Sequence, residues 1–360
     1  MIPMTKITGK ILVTITLLIL IGTQVMVNET TTNVKANGTL NVVASLSIVA
    51  DFASQIGLGL FVVPSIVSGT ENPHIYEPTP SEIEQVASAD LFIRFGLEDL
   101  EPWIDAVLLA NPSVPVLNLV NSSLMRIDPL IETENPHVWL DPNIAKIFVG
   151  NIYDEIVNLD PSNTATYSSN RDNYFDELDD LLADISIAAT EFSGLKVVVH
   201  HPAFMYLFDL LGIERVATIE EHEGEEPSAE HIAEVVRNIV AENVSMIVNQ
   251  PQLEEEQIIE IARDTDILIT ELTPLLGIID EKGYVVSTGL LIESYIDMIH
   301  FNLEALRNPY EPAAVNLNWS WWTLVGVGCV SIFGTIITVF VVRSKKPSDI
   351  LKIEKRRIKQ

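Results

Sequence analysis

Cysteine is nearly absent: Cys329 stands alone among 360 residues. That excludes a disulfide framework, a cysteine zinc cage and an iron–sulfur cluster. Basic residues are scarce, with 21 Lys and Arg against 50 Asp and Glu and a formal net charge of −29. A nucleic-acid binder needs a basic face to neutralise phosphates, so no nucleic-acid partner is expected. Low-complexity segments and tandem repeats are also missing. What is present is an apolar fraction of 48%, which excludes general disorder. The length is more than one compact core usually carries, so two domains or lobes are expected.

Apolar character is concentrated at the two ends. Lys6 and Lys10 precede an apolar run over residues 11–27. Residues 1–36 therefore read as a secretory signal peptide or an N-terminal anchor, with Val34-Lys35-Ala36 as a weak cleavage context. Residues 319–342 contain no charge, begin with Trp319, Trp321 and Trp322, and are long enough to cross a hydrocarbon core of ~30 Å. The tail 343–360 holds eight Lys/Arg and two Asp/Glu. The positive-inside rule puts this tail in the cytoplasm and the bulk of the chain outside the cell, on a single-pass C-terminal transmembrane anchor. Five Asn-x-Ser/Thr triplets, beginning at Asn28, Asn37, Asn121, Asn243 and Asn318, suit an exported glycoprotein surface. Nearly all the acidic residues fall between the two ends, giving a surface that concentrates cations.

Between the ends, short β-rich runs alternate with helical patterns. Strands are expected at 40–48, 61–67, 90–95 and 114–119, then at 196–200, 215–219, 245–249 and 266–271. Helices are expected at 49–58, 82–88 and 101–110, then at 203–211, 228–242, 254–264 and 288–306. This alternation predicts an α/β fold of two lobes, each with a parallel sheet flanked by helices. From 161 to 192 the pattern changes: Phe175, Leu178, Leu182, Ile185 and Ala189 recur at helical spacing with no glycine or later proline. One long rigid helix joining the lobes is expected there. The domain plan is then 37–160 for the N-terminal lobe, 161–192 for the helix, 193–308 for the C-terminal lobe and 309–318 for a tether.

Three of seven histidines stand in short proline contexts: Asn72-Pro73-His74, Asn135-Pro136-His137 and His200-His201-Pro202. Proline fixes φ, which holds a neighbouring histidine in a loop of defined direction. Ligands of open α/β sheets bind at the loops beyond the carboxyl ends of strands. Three such histidines with one carboxylate would form a first-row metal site. Spacing alone does not decide it.

The phrases NPHIYEPTPSEIEQVASADLFIRFGLEDLEPWI, NPHVWLDPNIAKIFVGNIYDEIVNLDPSN, HHPAFMYLFDLLGI and EEPSAEHIAEVVRNIVAENVSMIVNQPQLEEEQIIEIA resemble the zinc- and manganese-binding solute receptors of ABC transporters. The resemblance runs from about residue 40 to 306. It implies two lobes on a long rigid helix, a divalent transition metal between them, and delivery to an ABC permease in the membrane. It carries His74, His137 and His201 over as ligands, with Asn72 where the family has aspartate. His200, one step along the strand, should point away. The family's fourth ligand, an aspartate, aligns with Thr273; Glu271, two residues earlier, or a water would take its place. The expected cargo is Zn²⁺ rather than Mn²⁺, since three neutral imidazoles suit zinc, and affinity should fall as pH drops through roughly 6.5. No catalytic residue is assigned and a monomer is expected. The alternatives are a zinc-dependent hydrolase with Glu271 as base, and a surface adhesin or sensor with a structural metal. His222 and His231, within the acidic stretch 220–234, read as a solvated loop and helix face.

Overall fold

The computed structural model describes residues 40–221, 226–253, 256–277 and 292–312. The N-terminal apolar run, the charge-free stretch 319–342, the basic tail and His222 lie outside them. Among the described residues no helix is long and apolar enough to cross a membrane.

The first lobe starts with β1 (Val42–Leu46), buried at every position, as a central parallel strand covered on both faces must be. It leads into α1 (Ser47–Ile56), then β2 (Ser65–Val67), α2 (Pro80–Ala87), β3 (Leu91–Arg94), α3 (Ile104–Leu108) and β4 (Val116–Asn118). A capping box opens α2: Thr79 accepts from the Glu82 amide and Glu82 reaches back to the Thr79 amide. The four strands are parallel in the order β2-β1-β3-β4. A small antiparallel hairpin follows, β5 (Ile127–Asp128) with β6 (Thr133–Glu134).

Helix α4 (Pro142–Leu159) then opens on Asp141, whose carboxylate accepts from the Asn143 amide, with Pro142 at its first position. The sequence reading assigns no helix here, although Ala145, Phe148, Val149, Ile152 and Ile156 form its buried stripe. The long helix α5 (Thr164–Phe192) has 29 residues, about 44 Å of rise. It buries Tyr174, Leu178, Leu181, Ile185, Ala188 and Phe192. That stripe shares Leu178 and Ile185 with the expected one but is rotated towards Tyr174, because Phe175 stays on the rim beneath the Lys146 ammonium, 5.1 Å from its ring centre.

The second lobe repeats the plan with β7 (Lys196–Val199), α6 (Met205–Leu211), β8 (Glu214–Thr218), α7 (Ala229–Glu242), β9 (Met246–Asn249), α8 (Glu256–Thr265) and β10 (Leu268–Glu271). Its parallel order is β10-β9-β7-β8. Counted from its own first strand, each sheet runs 2-1-3-4. The chain therefore reverses direction of growth between β1 and β3 in one lobe and between β7 and β9 in the other, the places where such sheets bind ligands. The final helix, α9 (Tyr295–Arg307), returns to the first lobe. Phe52 and Tyr295 meet edge to face with ring centres 5.0 Å apart, and the Tyr295 hydroxyl donates to the Trp139 carbonyl at 2.7 Å.

The lobes touch backbone to backbone. Gly69, at φ +111, lies so near the Leu276 carbonyl that a Cβ built there would sit 1.7 Å from the oxygen.

Candidate metal centre

Two of the three histidines are set by the same local device. In Asn72-Pro73-His74 and Asn135-Pro136-His137 the asparagine Oδ1 accepts the histidine amide at 3.0 Å, closing an Asx turn. His74 follows β2 in a 3₁₀ turn, Pro73–Ile75, whose Pro73 carbonyl accepts from the Trp103 indole at 2.9 Å. His137 precedes a second such turn, Val138–Leu140. His201 follows β7 in extended conformation and caps the turn Pro202–Phe204.

Each ring is then fixed through Nδ1. The His74 Nδ1–H donates to the Asp99 carbonyl at 2.7 Å, that of His137 to the Asn135 Oδ1 at 3.1 Å, and that of His201 to the Glu220 carboxylate at 2.5 Å. All three partners are acceptors, so the neutral rings carry their lone pairs on Nε2. One ring nitrogen of each histidine lies within 4.8 Å of the others, and all three residues are buried. The Nε2 atoms of His137 and His201 are 3.3 Å apart. Neither can donate to the other, so two lone pairs face each other across that gap. A tetrahedral ion with bonds of about 2.0–2.1 Å to nitrogen spans ~3.3–3.4 Å between its ligand atoms. The donor set and its spacing therefore fit a divalent transition metal.

The electrostatics favour the same state. Burial, with His201 alongside, pushes the His74 imidazole down to about 4, and burial pushes His137 well below its ordinary value. Rings held neutral are ready to ligate. The cavity beside them measures about 20 Å³ and is walled by Leu100, Trp139, Pro274 and Leu275 on its apolar side and by Gln250 and Gln252 on its polar side.

Glu271 is not brought to the three histidines. It is still part of the β10 ladder, paired with Asn249, and its carboxylate accepts from the Tyr310 hydroxyl at 3.4 Å. The loop that turns towards the cavity begins only after it. The Thr273 hydroxyl is engaged within its own turn, donating to the Leu275 carbonyl at 2.8 Å, and Asn302 clamps the Thr273 backbone through both its amide N–H and carbonyl. His200 turns aside, its Nδ1 bonded to the Asn249 Oδ1 at 2.9 Å. His231 donates from Nε2 to the Thr218 carbonyl at 2.9 Å, and exposed His300 pairs with Asp184 at 3.1 Å.

Sequence reasoning missed two parts of this site. Glu220, read as part of a solvated acidic stretch, is buried against His201. Fully buried Asp128 receives the Arg215 guanidinium in a fork, at 2.7 and 2.9 Å, and the Asn135 amide at 2.9 Å. Burial would push the Asp128 carboxyl up, but Arg215 and these hydrogen bonds hold it below its ordinary value. The same Asn135 amide donates to the Pro202 carbonyl at 2.6 Å, so one asparagine joins the turns that carry His137 and His201. The repeated Asn-Pro-His triplet was the available signal for the asparagines; nothing local marks Asp128 or Arg215.

The family model described as "Zinc-uptake complex component A periplasmic" matches residues 42–308. The high-affinity zinc uptake system protein ZnuA of Bacillus subtilis is 28% identical over 290 residues, covering 75% of this chain and 87% of that protein. The manganese-binding lipoprotein MntA of Halalkalibacterium halodurans is 27% identical over 271 residues, covering 74% and 86%. Among solved structures, the periplasmic zinc-binding protein TroA of Treponema pallidum superposes with a TM-score of 0.64 at 21% identity, over 75% of this chain and 98% of that one. That likeness shows the fold.

Proposed function

Because the chain belongs to the family of periplasmic zinc-uptake components, substrate-binding receptors of ABC transporters rather than enzymes, we propose that it captures Zn²⁺ between its lobes and hands the ion to a membrane permease. The ligands in this reading are His74, His137 and His201. The observation that carries it is the approach of the His137 and His201 Nε2 atoms to 3.3 Å, with every Nδ1 committed to an acceptor. Preference for Zn²⁺ over Mn²⁺ follows from a ligand group of three neutral imidazoles with no carboxylate in it, the Glu220 carboxylate being bonded to the far nitrogen of His201, since Mn²⁺ favours oxygen ligands. The charge-free stretch 319–342 and its basic tail support a C-terminal anchor that leaves the lobes outside the cell. Protease added to intact cells should then remove the lobes and spare the tail.

Competitive titration of the purified chain tests the ligand set. His201→Ala should lose most of the Zn²⁺ affinity, whereas His200→Ala should lose little, because His200 faces Asn249 and not the cavity. Equal losses would overturn the assignment.

A further inference from the structure

Between β3 and α3 lies a short loop, residues 95–103, with a buried carboxyl group in it. Glu101 is 1% exposed, and both its oxygens accept from the start of the same loop. Oε1 takes the Phe95 amide at 3.2 Å and Oε2 the Gly96 amide at 2.9 Å. The Glu101 amide donates to the Leu97 carbonyl at 2.9 Å, so side chain and backbone together close the loop on itself. Burying a carboxyl group is costly, and an apolar residue would fill the same space at less cost. What Glu101 supplies instead is two acceptors in fixed places, and with them a loop of fixed shape.

That loop holds His74 at two points. The Asp99 carbonyl accepts from the His74 Nδ1–H at 2.7 Å, and the Trp103 indole donates to the Pro73 carbonyl at 2.9 Å. Asp99 and Trp103 stand two residues before and two after Glu101, and Leu100, between them, walls the cavity. We propose that Glu101 is a positioning residue for His74, setting through this loop both the tautomer of the ring and the seat of its backbone; this rests on the three-histidine reading above. A carbonyl only accepts, so a ring held against Asp99 keeps its proton on Nδ1 and leaves Nε2 unprotonated to ligate. With the loop released, the proton is shared between the two nitrogens. The form protonated on Nε2 does not ligate through that atom, so affinity falls with the fraction of rings in the wrong state.

The test uses the purified metal-free chain with its seven histidine rings labelled with ¹⁵N and observed by NMR at neutral pH. The His74 signals are identified by their loss in His74→Gln. The unaltered chain should show one protonated and one unprotonated His74 nitrogen. Glu101→Gln offers a single acceptor oxygen to two amides. Its two His74 nitrogen signals should move towards each other as tautomers mix, and Zn²⁺ affinity should fall about ten-fold. His137 and His201 donate to Asn135 and Glu220, outside the loop, so their signals should stay in place. Glu101→Asp, the second variant, keeps both acceptor oxygens on a shorter stem and should recover part of both losses. His74 signals unchanged in the folded variants would overturn the inference, leaving Glu101 a role in stability alone. Signals of His137 and His201 that shift as far as those of His74 would also overturn it, since the lobes would then have loosened as a whole. Failure of the unaltered chain to take up Zn²⁺, or tight binding by His201→Ala, would instead sink the three-histidine reading itself.

Discussion

Glu220 and Arg215 are both charged residues near the site, and their burial predicts different losses. Glu220 accepts from His201 Nδ1 at 2.5 Å, fixing the tautomer and raising the basicity of Nε2. Glu220→Gln retains the shape and an acceptor oxygen but not the charge. Zn²⁺ affinity should therefore fall roughly 10- to 100-fold in a competitive titration. Arg215 instead neutralises Asp128, which is fully buried. Arg215→Met leaves that carboxylate unpaired and should cost about 3–5 kcal/mol of stability in urea unfolding. A loss of affinity without loss of stability at Arg215 would show that the pair serves the ion rather than the fold. The histidines were legible because proline and asparagine mark them within three residues. Glu220 and Asp128 act across 19 and 87 positions of sequence, and no local pattern reports a partner so distant.

The strands and most helices were legible because a parallel strand is a continuous apolar run and a helix repeats its apolar positions. Where prediction erred, a competing constraint explains it. The expected strand at 61–67 contracts to β2, Ser65–Val67, because Pro64 cannot donate to the ladder. Helix α4 carried its signals in Asp141-Pro142 and in its apolar stripe, yet those residues also belong to the motif that drew attention to His137. What no periodicity reveals is how the two sheets meet, and there a glycine decides. Gly69 combines φ +111 with a backbone contact that admits no side chain. Gly69→Ala should strain its own backbone by about 1–3 kcal/mol and also push the Leu276 loop away. Since Pro274 and Leu275 wall the metal cavity, both thermal stability and Zn²⁺ affinity should drop together. Loss of stability with full affinity would mean that the seam does not position the cavity.

Across the molecule, the packing of the lobes buries histidines that water would otherwise solvate, and this sets the response to acid. An exposed imidazole titrates near 6.5, which is the basis for expecting metal release at that pH. Burial moves His74 down to about 4 and His137 well below its ordinary value. Between pH 6.5 and 4, the metal-free folded chain therefore binds fewer protons at His74 than the unfolded chain does. Unfolding takes up protons in that window, so stability rises with pH across it and is flat for this group above 6.5. From pH 6.5 down to 4, His74 alone should remove roughly 3 kcal/mol. His74→Gln should lessen this slope, as followed by urea unfolding of the metal-free chain at several pH values. The metal adds stability only to the folded state, in proportion to the logarithm of its concentration over the dissociation constant. Because His74 and His137 are already neutral at pH 6, their protons compete weakly with Zn²⁺ there, and the stability gained from added Zn²⁺ should persist well below 6.5. A gain that vanished as pH fell from 7 to 6 would show that these rings titrate like exposed histidines and that the packing of the lobes does not bury them in solution.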